Sequence, residues 1–254
     1  MVLVSYPVTA VVLCLLAAGV GGHVTAPAVW WGLASGVAQA FGVWWFYAAL
    51  GSGPIAVVSP LTAVVVAAIP VGAGLAMGER PSVIAGVGIA LAMVAVVLVS
   101  REATDEPPGH TPPRHRFTVR VAWLTLGAGL GFGLNFVLLD QVPVEAKLWP
   151  LVIARVAATA VVVTAAAVSA NLRPPTGPPL RLALLAAGLD VVSNVATLLA
   201  LQASMLSLAG VLMSLYPAGT VLLAIVVLRE RVSRGQAFGM VLALAAVAMI
   251  ATAR

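Results

Sequence analysis

The chain has 254 residues, of which 62% are hydrophobic and 8% charged, with a formal net charge of +5; its mean hydropathy is +1.11. Soluble domains carry about 25% charge, so this chain cannot cover a water-facing surface, and composition leaves a polytopic membrane protein as the class. The basic balance does not imply nucleic acid, because Lys and Arg stand singly between apolar runs, where topology signals belong. The lone Cys14 excludes a disulfide framework or a Cys-based metal site.

Nine apolar runs, each near the roughly 20 residues a spanning helix needs, lie at about 2–20, 28–50, 54–77, 82–100, 120–140, 148–170, 180–202, 205–228 and 235–253. Period-2 alternation is absent, which excludes a barrel. The first run lacks a basic start, and Leu13 is too large for a lipoprotein cleavage site before Cys14, so the run is read as a retained helix. The second begins near Trp30 and Trp31, carries Gly32 and Gly36 at close-packing spacing, and ends in "VWWFY" (43–47). Tyr47 there is a candidate to stack on substrate, although such aromatics also serve packing or the interfacial belt. After "GSGP" (51–54) the third run contains Pro60 and Pro70, which can kink a helix and free carbonyls toward a cavity. "GERPS" (78–82) then leads into the fourth.

The polar, Pro-rich stretch "REATDEPPGHTPPRHRF" (101–117) reads as the joint between two halves: 1–100, a linker over 101–119, and 120–254. The fifth run carries Trp123, the Gly-rich "GAGLGFG" (127–133) and Asn135; the sixth begins at Trp149 and holds Arg155. "NLRPPTGPP" (171–179) is a smaller linker. The seventh run contains "GLDVVSNVAT" (188–197), with Asp190, Ser193, Asn194 and Thr197 at i, i+3, i+4 and i+7, one helix face. The eighth contains Pro217 and closes on "RERVSR" (229–234); the ninth carries Gly235 and Gly239.

The chain repeats itself. Glu79-Arg80 and Glu230-Arg231 stand 151 residues apart (230 − 79), and without gaps that offset also matches Ser82 with Ser233, Gly88 with Gly239, and Leu91-Ala92 with Leu242-Ala243. The third run then falls on the eighth, five helices later. Five is odd, so the halves enter the membrane in opposite senses, the inverted-repeat layout of many carriers, with the substrate site near midplane. The same offset leaves the fifth run without a counterpart. Four helices are therefore expected in the first half and five in the second, with the first helix of the first half lost or encoded upstream of an internal start codon.

The segments "AALGSGPIAVVSPLTAVVVAAIPVGAGLAMGERPSVIAGVGIALAMVAVVLVS" (48–100) and "ALQASMLSLAGVLMSLYPAGTVLLAIVVLRERVSRGQAFGMVLALAAVAMIA" (200–251) resemble the EamA-type module of the drug/metabolite transporter (DMT) superfamily. The shared features are a helix ending in Gly-Glu-Arg or its like, a mid-helix Pro and a Gly-containing final helix. "GFGLNFVL" (131–138) looks like the module's first helix. The resemblance implies an all-α, ten-helix, exporter-like carrier of small metabolites, here lacking its first helix. A second departure is Arg229-Glu230-Arg231 in place of Gly-Glu-Arg.

Loops alternate between two faces. One holds Arg101, Arg114, Arg116, Arg120, Arg173, Arg181, Arg229, Arg231 and Arg234; the other holds Arg80, Lys147 and Arg254. The positive-inside rule puts the first face in the cytoplasm and the C-terminus outside, whereas the resemblance implies a C-terminus inside. The charge rule is followed here.

An ionised Asp190 facing lipid would cost about 2.5–3.5 kcal/mol on insertion scales, so its stripe is expected to face the bundle or a wet cavity, as cavity lining or as an interhelical contact. Gln39 matches Asp190 at the repeat offset and places a polar group at the same depth in the other half. Arg155 lies at a depth similar to Asp190, so the two can pair, binding a zwitterion or carrying coupling protons; otherwise Arg155 snorkels toward the Lys147 face. Glu79, Arg80, Glu230 and Arg231, with Pro60 and Pro217, are candidates for a gate or hinge, against the simpler reading of topology and capping. No catalytic constellation, metal-ligand cluster, cofactor motif or Walker motif is present. The reading is a secondary transporter in the plasma membrane of a prokaryote, exporting a small organic solute, amino acid-like or amphipathic. Its partners are the bilayer, that solute and protons as a coupling ion. The alternative is a membrane scaffold or receptor subunit without transport.

Overall fold

The computed structural model describes residues 2–100, 118–168, 177–223, 226 and 233–252, and these form helices joined by short turns, with no strand among them. The helices are α1 (Val2–Val20), α2 (Ala26–Leu50), α3 (Ile55–Ala76), α4 (Val83–Ser100), α5 (Val119–Asp140), α6 (Trp149–Val168), α7 (Pro178–Ala203), α8 (Leu206–Ser214), α9 (Tyr216–Leu223) and α10 (Arg234–Thr252). A backbone in hydrocarbon satisfies its N–H and C=O groups within itself only as a helix, so each long apolar run becomes one. By length and composition, Leu3–Val20, Ala26–Leu50, Val57–Ala76, Val119–Asp140, Trp149–Val168 and Pro179–Ala203 can cross a membrane; Val83–Val99 and Arg234–Ile250 are shorter apolar helices.

The run at 205–228 departs from expectation by breaking in two. Leu215 separates α8 from α9, and the ladder tightens there to i→i−3 bonds, with Leu215 N donating to Leu212 O at 3.2 Å and Ala218 N to Leu215 O at 2.9 Å. Ser214 Oγ turns back to donate to Val211 O at 2.7 Å. Pro217, with no N–H to give, removes the bond that would carry the helix across. Pro60 and Pro70, by contrast, lie inside an uninterrupted α3, both buried.

The chain divides into two compact units, Met1–Phe41 with Leu134–Ser204 and Gly42–Gly133 with Met205–Arg254. Each draws helices from both sides of the linker, so the units do not follow the division at 101–119; α2 and α5 each give residues to both.

In the first unit α1 packs on α6 and α7. Thr9, fully buried, donates from Oγ1 to Ala187 O at 3.3 Å. Gly36 of α2 lies directly on the Ala154 backbone of α6, where a Cβ would meet the carbonyl carbon at 2.7 Å. The turn Val144–Ala146 closes the C-terminal end of α1: Lys147, at φ 48, donates from Nζ to Val20 O at 2.8 Å. A cation on orphan carbonyls at a helix C-terminus is favourable.

The second unit is organised by α4 on α10 and α3 on α8. Ala92, Ala95, Val96, Val211, Ala243 and Ala246 are at the centre of its core. Added Cβ atoms at Gly88 and Gly239 would meet Ile250 Cγ1 at 2.9 Å and Leu98 Cβ at 2.8 Å, with Met249 and Val99 next to them. Gly88 and Gly239 are equivalent at the 151-residue offset, and so are Leu98-Val99 and Met249-Ile250. The two close approaches are therefore one contact made twice, once from each helix. Gly235, one turn before Gly239 on the same face, stands exposed in the first turn of α10, where an added Cβ would meet only Ser233 Oγ at 3.9 Å.

Candidate functional site

α6 buries an apolar stripe that includes Leu151, Ala154, Ala157 and Ala158, and beside it sits Arg155, only 1% exposed. It does not snorkel. Its Nη2 donates to Asp190 Oδ1 at 3.1 Å and lies 2.9 Å from Oδ2, while its Cζ stands 4.4 Å from the centroid of the Tyr6 ring in α1. Asp190 on α7 keeps 29% of its side chain exposed. Asn194, one turn on, donates from Nδ2 to Asp190 Oδ1 at 2.9 Å and to Asp190 O at 2.7 Å. Three helices of the first unit thus converge on one ion pair.

The pair is not saturated. Arg155 Nη1 and Asp190 Oδ2 are both buried and neither has a hydrogen-bond partner among the described residues. Nη1 of Arg155 keeps its donors unused, and Oδ2 of Asp190 is held only by the 2.9 Å ion-pair contact with Nη2. A buried ion pair gives little net stability over well-packed apolar residues, so stability alone does not account for it.

The stripe on α7 is narrower than expected. Asp190, Asn194 and Thr197 are half-buried beside Val191 and Leu198, but Ser193 is exposed. At 100° per residue, Asn194 and Thr197 stay within about 40° of Asp190, whereas Ser193 falls about 60° to the side away from the buried seam. Gln39 is half-buried, and no hydrogen bond joins it to the Asp190 group among the described residues. Asn135, on α5, is buried and accepts from Ser35 Oγ at 2.7 Å. Tyr47, in the second unit, is 62% exposed and its ring touches Phe46 edge-on.

Glu79 caps a helix distant in sequence. Its Oε1 accepts from Leu206 N at 2.5 Å and its Oε2 from Ser207 N at 3.0 Å. A carboxylate on the first N–H groups of α8 meets both the orphan donors and the positive end of the helix dipole. Arg80 is exposed, without an ion pair among the described residues. Glu230 and Arg231 lie outside the described residues, as does the side chain of Pro217 in α9.

Sequence reasoning missed Tyr6, Thr9 and Ser35. A phenol and a hydroxyl three apart in an otherwise apolar first run were the available signal for α1. For Ser35 it was the neighbouring Gly36, since small residues mark close helix contacts.

A sequence model of the EamA-like transporter family matches residues 119–252, just over half of the 254. No curated protein matches the chain. One solved structure, described only as "Crystal structure of protein", superposes with a TM-score of 0.74 over 98% of this chain and 85% of its own, at 17% identity. At that identity the likeness speaks for the fold alone. The chain belongs to the EamA-like transporter family of the drug/metabolite transporter superfamily, helical proteins embedded in the lipid bilayer that act on small molecules.

Proposed function

We propose that this protein is a secondary transporter of a prokaryotic plasma membrane, exporting a small zwitterionic, amino acid-like metabolite by alternating access between two inverted repeats. The observation that carries the substrate class is the buried Arg155–Asp190 pair, in which Nη1 of Arg155 donates no hydrogen bond and Oδ2 of Asp190 accepts none beyond its ion-pair contact. A carboxylate satisfies Arg155 Nη1 and an ammonium satisfies Asp190 Oδ2, and only a solute with both answers both. Ionisable groups inside a membrane bundle mark substrate or proton pathways. A proton arriving on Asp190 would weaken the internal pair, which offers a route for coupling. Asn194 orients the carboxylate, Thr197 extends the same face, and Gln39, Asn135 and Tyr47 belong to the path more remotely. The twin Gly88 and Gly239 contacts support the repeat. Glu79, holding the start of α8 from the turn after α3, is the contact that a gating motion must break.

The test uses purified protein in proteoliposomes with three matched probes: leucine, 4-methylpentanoate without the ammonium, and 3-methylbutylamine without the carboxylate. Counterflow of radiolabelled leucine is expected for the wild type. Neither single-charge analogue should compete well, and Asp190→Asn should abolish counterflow while inserting normally. Asp190→Asn moving leucine at the wild-type rate would favour the scaffold reading of this cluster and overturn the proposal.

A further inference from the structure

The second unit carries a cavity of about 680 Å³ that has no part in the Arg155 cluster; Val119, Arg120, Trp123, Leu124, Leu126, Gly127 and Leu130 of α5 line it together with Trp45 of α2. Its chemistry is ordered along the helix. Arg120 stands in the first turn of α5, exposed and without an ion pair or hydrogen bond among the described residues. Trp123, 71% exposed, follows one turn on, and beyond it the lining is apolar to Leu130. Gly127 sets the depth: an added Cβ would meet Trp45 Cε3 at 2.7 Å, so only a glycine lets the indole lie against α5 as the groove's side wall. From Arg120 to Leu130 the groove runs about 15 Å, at 1.5 Å per residue, which is half of the roughly 30 Å hydrocarbon layer.

We propose that this groove is a binding site for an anionic phospholipid, with the headgroup phosphate on Arg120 and one acyl chain laid along Trp123, Gly127 and Leu130. A cation at one end, tryptophan at headgroup level and an apolar trough one leaflet long match an anionic amphiphile end to end. The occupant is drawn from the leaflet on the side of the Arg-rich linker, where Arg101, Arg114 and Arg116 lie close in sequence. A zwitterionic lipid brings the same phosphate but with its own quaternary ammonium beside it, which offsets the attraction of the guanidinium, and a soluble anion would leave the trough uncovered.

Native mass spectrometry of the purified full chain, exposed to equimolar phosphatidylglycerol and phosphatidylcholine of identical acyl chains, tests this. The wild type is expected to retain phosphatidylglycerol about fivefold over phosphatidylcholine, the factor for one basic residue at an anionic surface. Arg120→Gln should bring the ratio to about one, whereas Arg181→Gln, which removes an exposed cation from another helix start, should leave it unchanged. Gly127→Leu, checked for a monodisperse elution profile, should lower retention of both lipids. Equal retention by the wild type, an equal fall with Arg181→Gln, or unchanged selectivity in Arg120→Gln would each overturn the site. So would a second copy of the chain displacing lipid. The Arg120→Gln comparison reads independently of whether Gly127→Leu folds.

Discussion

Removing either partner of the Arg155–Asp190 pair should destabilise the protein unequally, and the structure fixes the order. Arg155 is 1% exposed, whereas Asp190 keeps 29% of its side chain exposed and a second hydrogen bond from Asn194. Asp190→Leu strands a fully desolvated guanidinium, and orphaning a buried charge costs about 3–5 kcal/mol. Arg155→Met strands a carboxylate that still has Asn194 and partial exposure, which is nearer to the about 1–3 kcal/mol of an unsatisfied buried acceptor; loss of the contact with Tyr6 adds about 0.5–1 kcal/mol. The double variant removes both charges and should cost less than Asp190→Leu alone, since apolar replacement of a whole buried pair is often neutral. Unfolding in mixed micelles, titrated with sodium dodecyl sulfate and followed by tryptophan fluorescence, gives all three values on one scale. Equal costs for the two single variants, or a double variant whose cost is the sum of theirs, would refute the view that Arg155 is the desolvated partner.

Glu79→Ala should cost about 0.5–2 kcal/mol by stripping the cap from α8, with Glu79→Gln between it and the wild type in the same micelle titration; no loss in either variant would mean the cap does not form in the membrane. Gly36→Val forces α2 off the Ala154 backbone, an overpacking of about 1–3 kcal/mol, and should show as a drop in monodisperse protein on size-exclusion chromatography; an unchanged profile would contradict the close approach. Thr111→Cys in a Cys14→Ser background should resist an impermeant maleimide in intact cells and react after lysis, because the Arg-rich linker is expected in the cytoplasm. Ready labelling in intact cells would invert the assignment.

The helices were legible in the sequence because hydrocarbon length and backbone satisfaction act locally: the run at 28–50 became α2 and that at 180–202 became α7 with ends shifted by a few residues. Where a helix breaks was less visible. Three mid-run prolines look alike on paper, yet Pro60 and Pro70 are absorbed into α3 while α9 starts afresh around Pro217. Just before the break, Ser214 Oγ donates to Val211 O. At the site, Asp190 announced itself by its cost in lipid, and Arg155 by depth. Ser193 is exposed where its neighbours on the stripe are half-buried, because i, i+3 spacing admits a 60° drift that only the packing seam resolves. The partner of Glu79 was beyond reach, since a carboxylate near a turn says nothing about which distant helix start it will meet.

That cap has a consequence for how the protein is made. Glu79 and the amides it holds are 127 residues apart in the chain, and at about 5–20 residues per second of synthesis the carboxylate waits roughly 6–25 s for its partner. During that interval the turn after α3 is an unfinished joint, kept tolerable by water at the membrane edge. When α8 arrives, its bare N-terminal amides meet a group already in place. The finished fold thus differs from the nascent chain here by the state of one carboxylate, open to solvent before the second half is inserted, half-buried and bonded to the start of α8 afterwards.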